Sequence, residues 1–66
     1  FIKLTELDSA LSDLKISVLL NPESVELRFL LGETLFHAQK FNEAAKNFQT
    51  GESIQYYIYY KIFVIV

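Results

Sequence analysis

Chemistry needs a nucleophile beside a base, carboxylates in a cleft, a cluster of metal ligands or a loop that cradles phosphate. The sequence has few residues for any of these. His37 is its one imidazole, and no Ser or Cys stands in a nucleophile elbow or another catalytic spacing that it could activate. A lone helical His of this kind reads as a surface or partner-contact residue. The chain has no Cys. Disulfides and thiolate ligands are therefore excluded, and a single His predicts no metal cluster. Glu6, Asp8 and Asp13 bring carboxylates together near the start, yet nothing in the sequence builds a cleft around them, so they read as solvated helix face. Gly32 and Gly51 are isolated and form no phosphate-binding loop. The residues thus predict no enzyme, no cofactor and no metal.

Charge and size narrow the partner class. The net charge is -2, with both signs interspersed and no basic run. Nucleic acid is not the expected partner, because binding it depends on clustered Lys and Arg against phosphate. Just over half of the 66 residues are apolar, which excludes disorder by composition. A chain this short buries only about 60% of its unfolded surface, so its core is marginal unless neighbours or association add to it. It opens on Phe1 inside an apolar helical pattern and reads as a piece of something longer. Nothing at its start resembles a signal peptide.

The elements follow from apolar spacing. Residues 1–4 read as the last turn of a preceding helix, with Thr5 and Glu6 as a turn. From Leu7 the positions Leu7, Ala10, Leu11, Leu14 and Val18 recur at steps of three and four, one face of an α-helix. Leu19 and Leu20 are expected to carry that stripe to Asn21 and Pro22, where proline ends the helix. Asn21 or Ser24 can cap the next helix, predicted from about Ser24 to Ala38. Its apolar residues Val25, Leu27, Phe29, Leu30, Leu31, Leu35 and Phe36 cover more than one stripe, as in a helix sandwiched between neighbours. Gly32 in its middle costs up to about 1 kcal/mol against alanine, which makes sense where another helix must approach closely. Gln39 and Lys40 form the turn. Phe41 to about Gln49 then form a partner helix, with Ala44 and Ala45 as its small contact residues.

After Gly51 the pattern changes. The segment ESIQYYIYYKIFVIV is dense in β-branched and aromatic residues, which favours strand on propensity alone. Yet Glu52-Ser53-Ile54-Gln55 echoes Glu23-Ser24-Val25-Glu26. Three readings stay open for residues 52–66: a third helix packed on the preceding unit, an aberrant exposed tail of high β-propensity, or the start of a membrane span. The last is disfavoured because the apolar run is far short of about 20 residues and Lys61 interrupts it. So much apolar surface also predicts self-association through Tyr57, Ile58, Phe63 and their neighbours.

A repeat underlies the order. Leu7, Ala10, Leu14 and Ser17 recur as Phe41, Ala44, Phe48 and Gly51, each at an offset of 34 positions. That is the spacing of helical solenoids. With Leu31-Gly32, Leu35, Phe41, Ala44 and Phe48, and with Pro22 on a closing-proline place, residues 1 to 51 resemble the tetratricopeptide repeat family. Arg28 stands where the family has a large aromatic, Gln39 where it has a turn glycine, and Tyr56 where the closing proline is due.

The resemblance implies an all-α fold of antiparallel helix-turn-helix repeats in an α-solenoid. Residues 1–22 would be the end of one repeat, 23–51 a complete repeat, and 52–66 a further helix or tail. It also implies a protein-protein interaction module, a scaffold or adaptor that takes a peptide or protein segment on its concave face. The inward places of the first helix would be Glu26, Phe29, Leu30, Glu33, Phe36 and His37. A regulatory repeat module attached to an enzyme domain elsewhere, or a structural remnant without a competent groove, are the alternatives. Phe29, Leu30 and Phe36 could equally pack against a neighbouring unit's helix.

Overall fold

The computed structural model describes residues 4–65. Phe1, Ile2 and Lys3, on which the expected end of a preceding helix falls, lie outside the described residues. Three helices follow one another: α1 Leu4–Leu20, α2 Val25–His37 and α3 Phe41–Ile65. No strand occurs among the described residues.

Helix α1 begins earlier than the spacing suggested, so Thr5 and Glu6 belong to the helix instead of a turn. Leu7, Leu11 and Val18 are buried, and Ala10 and Leu14 are half-buried. Each helical residue turns the chain by about 100°, which keeps these positions on one face and swings the next two off it. Leu19 and Leu20 accordingly face solvent, 80% and 76% exposed, and do not extend the stripe. The Asn21 amide donates to the Ser17 carbonyl at 2.9 Å and closes the helix before Pro22.

Ser24 is the N-cap of α2. Its backbone is extended, and its hydroxyl oxygen accepts from the Leu27 amide at 3.2 Å, satisfying one of the free donors of the first turn. At the other end the Gln39 amide donates to the Phe36 carbonyl and the Lys40 amide to the Leu35 carbonyl, both at 2.9 Å. This is the Schellman pattern, which places the residue after the cap in the left-handed region where glycine is preferred. Here that residue is Gln39, at φ 63°.

The α2–α3 pair is locked by two phenylalanines and two glycines. A Cβ on Gly32 would lie 2.7 Å from the Phe48 ring, and one on Gly51 would lie 2.5 Å from the Phe29 ring. Residue numbers rise along α2 while their contacts fall along α3, so the helices are antiparallel. The two rings meet between the glycines, 6.3 Å apart and tilted by 47°. Ala44 is buried as expected, whereas Ala45 is exposed. Leu11 and Val18 from α1, Leu31 and Leu35 from α2, and Ala44 from α3 form one core, with Leu14, Leu27, Ala38 and Phe48 packed around it.

Helix α3 does not stop near Gln49. It runs unbroken through Gly51 to Ile65, with no turn at which a separate helix could begin. A single interior glycine costs only about 1 kcal/mol, and the close approach of Phe29 to its backbone offsets this. The β-propensity of the tail is overridden, since such propensities reflect packing context. A 25-residue helix is roughly 37 Å long and α2 only about half that, so α3 extends well past the start of α2. The molecule measures 47 × 21 × 18 Å.

Candidate functional site

The central helix positions the candidate residues, because α1 and α3 pack on it from two sides and leave one side open. Glu26, Leu30, Glu33 and His37 follow at steps of four, three and four, which puts them on a single stripe. All four are exposed. Leu31 and Leu35, on the other side of the helix, are in the core, so the stripe faces away from it.

Phe36 stands beside the stripe at the hairpin end. It is 55% exposed, with its ring edge-on to Phe41 at 5.2 Å and to His37 at 6.2 Å between centroids. These rings hold Phe36 in place while leaving much of it open. Phe29 is different. It is half-buried against Gly51 and Phe48, so the structure brings five of the six predicted residues to one open side and draws the sixth into the helix pair. The sequence carried a signal for this: Phe29 precedes Gly32 by the same three positions as Phe48 precedes Gly51. In an antiparallel pair that spacing sets each ring over the opposite glycine.

Chemically the open side offers two carboxylates, one imidazole and two apolar side chains. Such a surface can bind apolar groups flanked by cations or hydrogen-bond donors. Among the described residues no group of His, Cys, Asp and Glu is arranged to hold a metal ion. None of the helices in the described residues is long and apolar enough to cross a membrane.

The place of Arg28 escaped the sequence, whereas the exposed apolar surface of the tail was expected from it. Arg28 is partly buried between α2 and α3, where its Nη1 donates to Asn47 Oδ1 at 3.4 Å while its Nε is buried without a hydrogen-bond partner. The far half of α3 presents Tyr56, Tyr57, Tyr59, Tyr60, Ile62, Phe63 and Val64 to solvent. In comparisons with known proteins the chain matches no family model, no curated protein and no solved structure.

Proposed function

We propose that the chain is a protein-protein interaction module, a tetratricopeptide-like piece of a scaffold or adaptor that binds a peptide or protein segment along the open side of α2. The observation that carries this reading is the pairing of half-exposed Leu30 and Phe36 with Glu26 and Glu33 on a side turned away from the core. A partner segment with one or two large apolar side chains fits Leu30 and Phe36, and basic groups around them meet the glutamates. Energy in such contacts concentrates in a few apolar anchors, with charges at the rim setting orientation and choice. Phe29 is left out of the proposed site, since its ring is already engaged by Gly51 and Phe48. In this reading the chain does no chemistry itself.

Titration of the full chain with a panel of short basic-apolar and acidic-apolar peptides tests the proposal. Basic-apolar peptides should bind, and Phe36→Ala and Glu33→Lys should each weaken them about tenfold, equivalent to about 1.4 kcal/mol. Equal, weak signals for every peptide and every variant would refute it and favour a structural remnant.

A further inference from the structure

Four aromatic residues of the projecting half of α3 share one stripe: Tyr56, Tyr59, Tyr60 and Phe63 follow at steps of three, one and three. They are 74%, 61%, 57% and 82% exposed. Gly51 marks the side of α3 turned to α2, and at about 100° per residue the centre of the stripe lies roughly 130° around the helix from it, with Tyr59 on the near edge. We infer that this stripe is a self-association surface whose occupant is the same stripe of a second copy of the chain, docked antiparallel about a two-fold axis between Tyr59 and Tyr60.

Area, charge and pattern support the assignment. A fully exposed aromatic side chain presents on the order of 200 Å². The four rings together expose roughly 550 Å², the upper end of the about 300–600 Å² patch of a typical monomer, and about 1,100 Å² from two copies clears the ~1,000 Å² that a specific interface needs, at the weak end of the range. The one charge in residues 53–64 is Lys61, which lies off the stripe with its Nζ 5.3 Å from the centre of the Tyr57 ring. Like charges therefore do not oppose self-pairing, and no oppositely charged partner is called for.

The order of residues suits a two-fold contact. With the axis between Tyr59 and Tyr60, Tyr56 of each copy meets Phe63 of the other, and Tyr59 meets Tyr60. The same patch then serves both copies and the contact closes on itself. Gln55 Nε2 donates to the Tyr59 hydroxyl oxygen at 3.0 Å and holds that ring beside the axis. This surface is separate from the open side of α2, so it stands or falls independently of the peptide-binding reading.

Sedimentation velocity of the full chain across a concentration series tests the inference. The mass should rise from one chain to two and stop there. Phe63→Glu and Tyr56→Glu should each hold the chain monomeric with its helical circular dichroism unchanged, because neither side chain faces α2. The chain has no native Cys, so the register can be read by oxidising a mixture of Tyr56→Cys and Phe63→Cys chains. Mixed disulfides should far outnumber either self-paired product. Predominant self-pairing would overturn the antiparallel register. A wild-type monomer at all concentrations would overturn the interface, and its co-sedimentation with phosphatidylcholine-phosphatidylserine vesicles would assign the stripe to a lipid surface instead.

Discussion

Replacing Gly32 by alanine tests whether the crossed rings and glycines hold α2 and α3 together. In an open helix the change should stabilise by about 1 kcal/mol, the propensity difference between the two residues. Here the new Cβ would lie 2.7, 2.9 and 3.1 Å from three atoms of the Phe48 ring. That ring cannot simply swing away, because Phe29 stands against it at 6.3 Å. Overpacking of this kind costs about 1–3 kcal/mol, so the net effect should be a loss of roughly 1 kcal/mol once the propensity gain of about 1 kcal/mol is set against it. In a Phe48→Leu background the obstruction is gone, and the same change should stabilise by about 1 kcal/mol. The coupling of about 2 kcal/mol is far above the 0.3–0.5 kcal/mol scatter of independent sites. Urea unfolding of the four chains, followed by far-ultraviolet circular dichroism at low temperature, measures it. If Gly32→Ala stabilises both backgrounds equally, the ring does not occupy the glycine's space and the account of the helix pair is wrong.

Three further outcomes are expected. Gln39→Gly should raise stability by about 1 kcal/mol, because the φ of 63° is strained for any residue with a Cβ; a rise in the unfolding midpoint of about 4–8 °C corresponds to that gain, and a fall would contradict the Schellman geometry. Ser24→Ala should cost about 1 kcal/mol by removing the cap on the Leu27 amide, and amide exchange in the first turn of α2 should accelerate. Arg28→Met keeps the packed stem while removing a buried Nε that has no partner, so urea unfolding should find it neutral or stabilised by about 1 kcal/mol; a loss of several kcal/mol would show that the Asn47 hydrogen bond, long at 3.4 Å, matters more than the unpaired donor.

Much of the architecture is legible along the chain because its causes are local. The steps of three and four through Leu7, Leu11, Leu14 and Val18 define a helix face before any neighbour is known. Proline at residue 22, serine at residue 24 and the Gln39-Lys40 pair punctuate the backbone through φ restriction, side-chain capping and a left-handed turn. A glycine inside the apolar run of α2 already points to a close approach, whereas the stripe from Glu26 to His37 was expected from the family resemblance and is open because α1 and α3 pack elsewhere on α2.

Other features depend on what each face meets. Phe29 and Phe36 are both large aromatics on the same helix, yet one closes over Gly51 and the other stands half in solvent beside Phe41. Periodicity gives an azimuth on the helix, but only the antiparallel partner decides which azimuths are covered and at what height. The same holds at Gly51, which reads as a break in isolation and is a docking point for a ring once α2 lies alongside. It holds again for the tail, whose strand-favouring residues continue α3 because the paired helix before them is already formed, and extending it adds a hydrogen bond per residue without a new nucleation cost. Local sequence determined where helices could begin and turn; packing decided that the last one runs on through Gly51 and which side chains of the three helices stay exposed.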